Sequence, residues 1–75
     1  MTIKNVKLAK KFGLKIKVER TKRELSQDEL SELAGLHRNA VGAIERGISS
    51  PTLDTIYLLA KALKINLKDI LNLDL

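Results

Sequence analysis

The sequence has no cysteine and no tryptophan, a single histidine, and only Phe12 and Tyr57 as aromatic residues. Without cysteine there is neither a disulfide framework nor a thiolate zinc site, and the reducing cytoplasm is the compartment this composition fits. His37 has no second metal ligand near it in the sequence, so no metal is expected. Apolar runs fall well short of the ~18 residues a membrane span requires, and the lysine-bearing Met1 end has no apolar stretch of signal-peptide length. No membrane association is expected. Catalysis is disfavoured as well, because the chain lacks a phosphate-cradling glycine loop, a Cys/His pair, and a core large enough to build a pocket in. Proline occurs once, at Pro51, and Leu, Ile, Val and Ala supply nearly all the apolar content, which favours helices over strands. The expected fold class is all-α. A chain of 75 residues allows one domain, spanning 1–75. At that size a single core supplies only about 3–5 kcal/mol, so support from a second subunit is common.

The net charge of +5 is unevenly placed. Residues 1–25 hold nine bases against two acids, +7, whereas residues 26–75 hold five bases against seven acids, −2. A local positive field attracts a polyanion. A solvated lysine-rich face accounts for it equally well, so charge alone does not choose.

Periodicity predicts five helices. The first runs from about Lys7 to Glu24, where Leu8, Phe12 and Ile16 recur at four-residue spacing as an inward stripe that Arg20 continues. The second opens on "SQDE": Ser26 caps, Glu29 reaches back, Leu30 and Leu33 face inward, and Gly35 closes it. The third spans about Arg38 to Arg46 with Val41 and Ile44 inward, and Gly47 follows as a left-handed cap. The fourth starts after "SSPT" with Thr52 as N-cap and Asp54 at its positive end, and buries Leu53, Ile56, Ala60 and Leu63. The fifth is short, capped by Asn66 and running from Leu67 to about Leu71.

The third helix is unusually bare. With Val41 inward and about 100° per residue, Asn39, Gly42, Ala43 and Arg46 turn outward. A major groove about 12 Å wide admits a helix only on a slim side. Gly42 and Ala43 therefore read as clearance, at a propensity cost of up to ~1 kcal/mol for the glycine.

Two short helices joined by a tight glycine-containing turn, in an all-helical chain with a basic flank, describe a helix-turn-helix over about residues 26–46. The run "LSQDELSELAGLHRNAVGAIERGISSPTLDTIYLLAKALKINLKDIL" resembles the lambda-repressor-like, Cro/CI-type (XRE) helix-turn-helix family, a likeness that covers residues 12 to 71. Its markers are "LSQ" opening the second helix, "AGL" at the turn, "IERG" closing the third and "SPTLDTI" starting the fourth. Within that family, "KFG", "GLHR" and "VGAIERG" are most similar to the small controller proteins of restriction-modification systems. The resemblance implies a five-helix DNA-binding domain acting in the cytoplasm of a prokaryote or on behalf of a phage. It also implies double-stranded DNA as partner, a palindromic operator bound by a homodimer, a role in transcription regulation, and neither cofactor nor small-molecule ligand.

Base edges should be read by polar groups near the start of the third helix. Arg38 can donate twice to guanine, Asn39 can exchange two hydrogen bonds with adenine, and Ala43 offers a methyl to thymine. His37 stands where the family usually has a Ser/Thr cap and is a poorer cap itself; it joins Arg38, Asn39, Gly42 and Ala43 in the expected base-reading set. Gln27 matches the family's phosphate-contacting glutamine, whose side chain can also brace the recognition helix. Arg46, Ser49, Ser50 and Thr52 complete the expected phosphate contacts, which position without specifying. The family pairs an arginine with a glutamate at the positions of Arg20 and Glu45, which implies a structural ion pair. Glu19 stands where relatives often carry an apolar residue.

One recognition helix samples few base pairs, so dimerisation matters. The C-terminal stretch 64–75 carries Leu67, Ile70, Leu71, Leu73 and Leu75, more apolar residues than one terminal turn needs, and is the first choice of interface. Leu14 with Val18 is the second, on the far side of the first helix from Phe12 and Ile16. The rival function is a protein-binding module, such as an antitoxin or adaptor built on the same fold.

Overall fold

The computed structural model describes residues 5–73, so Leu75 of the expected interface lies outside the described part. Five helices follow in chain order: α1 Val6–Lys22, α2 Gln27–Leu33, α3 Ala40–Glu45, α4 Leu53–Leu63 and α5 Leu67–Ile70. Among the described residues there is no strand. Nor, among them, is any helix long and apolar enough to cross a membrane.

Local chemistry sets where the helices begin. Asn5, Ser26, Thr52 and Asn66 each hold extended backbone and accept a hydrogen bond from the N–H three residues on. At α2 the exchange is reciprocal, Ser26 Oγ accepting from Glu29 N–H at 3.0 Å and Glu29 Oε1 from Ser26 N–H at 2.8 Å. Four of the five helix ends, those of α1 to α4, share one device, a residue of positive φ beyond the last turn whose own N–H and that of the next residue return to late carbonyls. After α2 it is Gly35, with Leu36 N–H donating to Ser31 O; after α3 it is Gly47, with Ile48 N–H donating to Ala43 O. After α1 and α4 the left-handed residues are Glu24 and Lys64. The first helix therefore stops at Lys22, two residues before the end that periodicity predicts.

One apolar cluster draws on all five helices: Phe12 and Ile16, Leu30 and Ala34, Val41 and Ile44, Leu59, Ala60 and Leu63, and Ile70. Three residues expected inward are not there. Leu8 is exposed because the buried stripe of α1 passes through Ala9, Phe12, Gly13 and Ile16. Leu33 is exposed because the seven-residue α2 turns Leu30, Ser31 and Ala34 inward instead. Leu53 is exposed at the first position of α4, whose buried share of the core is Leu59, Ala60 and Leu63 with Ile56 packed partly against it.

The firmest joint is between α1 and α3. A methyl group on Gly13 would lie 2.3 Å from the carbonyl oxygen of Ile44 and 2.9 Å from that of Glu45, so the two backbones touch across the missing side chain. Glu19, on the same side of α1, is buried yet paired: Arg23 lies 2.9 Å away, Lys22 3.4 Å and Lys15 3.5 Å. Hydrogen bonding by Arg23, against the opposing effect of burial and with help from Lys22 and Lys15, holds its carboxyl below the usual range. A carboxylate is thereby tolerated where an apolar residue is the common choice.

Candidate nucleic-acid interface

The candidate interface is built on a polar joint beneath α3. Glu45, at its last turn, accepts two hydrogen bonds from Arg20 of α1, from Nε at 2.6 Å and Nη2 at 3.0 Å. The remaining Nη1 of Arg20 donates to the carbonyl of Leu25 at 2.8 Å. Gln27, first residue of α2, donates its amide to Glu45 Oε1 at 3.0 Å. Three helices thus meet at one carboxylate. The side chains of Arg20 and Glu45 are only 14% and 4% exposed, so the pair is shielded from solvent and from salt. Burial pushes the Glu45 carboxyl up, but hydrogen bonds from Arg20 and Gln27, with the charges of Arg20 and Lys17, outweigh it and hold it low. Arg20 is correspondingly raised, chiefly by its hydrogen bond to Glu45.

Gly42 belongs to this joint, which corrects its reading as clearance for DNA. It is buried, and a Cβ there would sit 3.1 Å from Gln27 Oε1 and 3.2 Å from an Arg46 guanidinium nitrogen. The space that the glycine leaves is filled by the protein's own side chains. Gln27 is thereby seated against α3, and Arg46 is drawn over the same spot.

At the other end, the turn between α2 and α3 presents the expected readers. α3 begins at Ala40, so Arg38 and Asn39 belong to the turn before it and not to its first helical residues. Buried Ser31 fixes that start by accepting from Val41 N–H at 3.3 Å. His37, exposed in the turn, accepts the Asn39 N–H on Nδ1 at 3.3 Å. Asn39 stands at the N-cap but its side chain makes no capping bond, so its amide keeps both donor and acceptor for another partner. Arg38 extends across to α2, where Nε lies 3.2 Å from Asp28 Oδ2.

Within α3 no side chain is fully exposed; Ala40 and Ala43 are half-buried, and the exposed neighbours His37, Arg38, Asn39 and Arg46 frame them from both ends. The face is slim and its rim is polar. A groove of about 270 Å³ runs beside it, bringing His37 and Ala43 together with Ser49, Ser50 and Thr52. Thr52 is committed to capping α4, accepting from Thr55 N–H at 3.1 Å. His37 and Ala43 of the base-reading candidates therefore share a groove with the phosphate candidates Ser49, Ser50 and Thr52, while Gln27 and Arg46 lie against Gly42. The C-terminal set is divided. Ile70 is fully buried in the core of its own chain and cannot face a second copy, Leu73 packs partly against that core, and Leu67 and Leu71 remain exposed.

The family model described as Helix-turn-helix (HTH_3) matches residues 16–70. The chain belongs to that helix-turn-helix family. It is similar to the control protein C.SmaI of Serratia marcescens, with 45% identity over 47 residues that take in 63% of this chain and 56% of that protein. The chain thus spans little more than half the length of that relative. It is also similar to the control protein C.BamHI of Bacillus amyloliquefaciens, 37% identical over 62 residues, 81% of this chain and 76% of the other. Among solved structures, the restriction-modification controller protein C.AhdI from Aeromonas hydrophila superposes with a TM-score of 0.80 at 40% identity, covering 83% of this chain and 94% of that one. These are controller proteins, the group that the motifs of this chain resemble.

In this helix-turn-helix protein three contributors have little sequence signature. Gly13 lies inside a helix without a positive φ, and only its inward register hints at a close approach. Ser31 is a small polar residue between two inward apolar ones, a pattern consistent with a buried acceptor. Asp28 lies ten residues from Arg38 with no periodic relation to it, and only the turn brings them together.

Proposed function

We propose that this protein is a non-enzymatic, sequence-specific regulator of transcription that binds double-stranded DNA as a dimer on a palindromic operator in the cytoplasm. The observation that carries it is the surface around α3: small residues along the helix, exposed hydrogen-bonding side chains at both ends, and a buried three-helix joint that keeps the whole unit rigid. Such a ridge enters a major groove without rearrangement, and its rim reaches base edges where it lies deepest. Arg38, Asn39 and Ala43 read bases, and His37 adds a contact through the ring nitrogen that the turn does not use. Gln27, Arg46, Ser49 and Ser50 hold phosphates and fix the angle of approach, while the Thr52 hydroxyl stays with the cap of α4. Two copies set their α3 helices about 34 Å apart, one turn of DNA. Leu67 and Leu71 are the exposed apolar residues of the C-terminal segment that meet across the two-fold axis, with Leu73 behind them. Likeness to named controller proteins supports regulation as the purpose of the binding.

Selection of bound sites from a random duplex library at physiological salt tests this reading. Enrichment of a two-fold symmetric sequence is the expected result. A folded protein that enriches nothing turns the interface into a protein-binding surface, the role of an antitoxin or adaptor.

A further inference from the structure

The lysines of α1 divide between two flanks of the helix. At about 100° per residue, Lys10 and Lys17 fall beside Gly13 and Arg20, the edge of α1 that touches α3. Lys10 lies along Gly47, so closely that a Cβ on that glycine would come 2.7 Å from Lys10 Cγ. Lys17 is near enough to Glu45 for its charge to help hold that carboxyl low. Both lysines are exposed, and among the described residues neither forms an ion pair. The other flank is spent differently: Lys15 and Lys22 hold Glu19, and Lys11 lines a shallow groove with Leu14 and Val18. Arg46 adds a third cation at the C-terminal end of α3, where Glu45 is already taken up by Arg20 and Gln27. The start of α3 has no such excess, because Arg38 there faces Asp28.

We infer that Lys10 and Lys17 are phosphate-binding residues, which grip the DNA backbone beside the C-terminal end of α3; this rests on the DNA-binding function proposed above. A helix seated in the major groove has a phosphate strand along each flank, and α1 crosses α3 at the end where Ser49 and Ser50 follow Gly47. A lysine on that edge meets the strand and not the base edges at the groove floor. Its ammonium suits the task, as a point charge on a flexible stem that needs no fixed geometry from its partner. Packing of the Lys10 stem on Gly47 already removes part of the rotamer freedom that binding would cost. Seven residues separate the two lysines, about 10 Å along α1, so each neutralises a phosphate of its own. Each also has a role that needs no DNA: Lys10 favours the negative end of α3, and Lys17 supports the Glu45 carboxylate. Stability reads those roles, and salt dependence reads the grip.

The test measures affinity across a range of salt for wild type, Lys10→Gln, Lys17→Gln, the double variant and Lys11→Gln, on the selected operator and on a scrambled duplex of equal length. Lys11→Gln removes the same charge one residue away but about 100° around the helix, so it reports the long-range field without the contact. Each of Lys10→Gln and Lys17→Gln should flatten the log–log salt slope by about 0.9 and, at about 0.15 M salt, weaken binding about fivefold on both duplexes alike. The double variant should lose about 1.8 in slope, and Lys10→Arg should keep the wild-type slope. Lys11→Gln should change the slope far less. Equal changes in Lys10→Gln and Lys11→Gln overturn the inference, because the field alone then accounts for both. An unchanged slope with a lowered urea midpoint also overturns it, leaving the lysines to α3 and Glu45. So does a loss confined to the operator, which belongs to base reading. None of these outcomes touches the proposed function. Failure to select any operator removes that function while the scrambled duplex still tests the grip, and a folded wild type that binds neither duplex removes both.

Discussion

Replacing Gly13 by alanine sets helix propensity against packing, and the two predict opposite signs. Propensity alone favours alanine in a helix interior by about 1 kcal/mol. The structure places the new methyl 2.3 Å from the Ile44 carbonyl oxygen, where ordinary contact begins at 3.4 Å, and both opposing groups are backbone that no rotamer change can move aside. Helices α1 and α3 must part by about 1 Å in a densely packed joint. Overpacking of this kind costs about 1–3 kcal/mol. The same separation stretches the Arg20 to Glu45 contacts of 2.6 and 3.0 Å beyond good hydrogen-bond geometry. Part of the ~3–5 kcal/mol lost on breaking a buried pair is added thereby. The net expectation is a loss of about 2–4 kcal/mol from a total near 4–11 kcal/mol for a chain of this length. Urea unfolding followed by far-ultraviolet circular dichroism reads it as a midpoint lowered by about 2 M or more. Gly42→Ala is the matched comparison, because its new methyl meets side-chain ends and no backbone, Gln27 Oε1 at 3.1 Å and an Arg46 guanidinium nitrogen at 3.2 Å, which need give only a few tenths of an ångström. It should leave stability unchanged or raise it by up to ~1 kcal/mol. A Gly13→Ala protein as stable as wild type refutes the packing account and leaves the glycine without a structural reason.

At the polar joint, Glu45→Ala should cost about 3–5 kcal/mol by stranding Arg20, while Arg20→Met with Glu45→Leu recovers most of it; equal losses in the single and double variants rule out the pairing. Acid unfolding should follow from Glu19 and Glu45, whose carboxyls are held low in the folded chain. Their stabilisation is complete above the ordinary value of 4.5 and drains away as pH falls through the lower folded values. Urea midpoints measured against pH should therefore drop below that point, and a profile equally steep in Glu19→Gln/Glu45→Gln contradicts the assignment. On selected DNA, Arg38→Ala should relax one base position at a cost of about 1–3 kcal/mol, whereas Gln27→Ala should weaken all sites alike; resequencing the sites each variant selects distinguishes these patterns. Leu67→Asp with Leu71→Asp should shift sedimentation equilibrium toward monomer, and an unchanged association constant moves the interface off the C-terminal segment.

What could be read from the chain alone divides along a physical line. Helix starts are local chemistry: a side-chain oxygen at Ser26, Thr52 or Asn66 and the N–H three residues on suffice, so these were legible. Helix ends are legible only when glycine supplies the positive φ, as at Gly35 and Gly47. Glu24 and Lys64 adopt the same backbone with ordinary side chains, held there by the hydrogen bonds that follow, and α1 consequently ends before its periodicity does. The interface obeys the same rule. Its candidate readers could be proposed because a polar cluster before a thin helix has a recognisable spacing and because the family markers are dense. What occupies the space beside them depends on neighbours that no spacing encodes. By its angle on the helix wheel Gly42 should face outward, yet it is buried, because Gln27 and Arg46 close over it from another helix and from the next turn. Ile70 ends α5 and Leu71 follows it directly, yet only the first finds the core. Asp28 and Arg38 meet because the turn folds one helix back toward the other. What each residue of the candidate interface touches beforehand separates two kinds of contact: Glu45 holds Arg20 and Gln27 in a joint shielded from solvent, whereas Arg38 rests on Asp28 through one exposed contact.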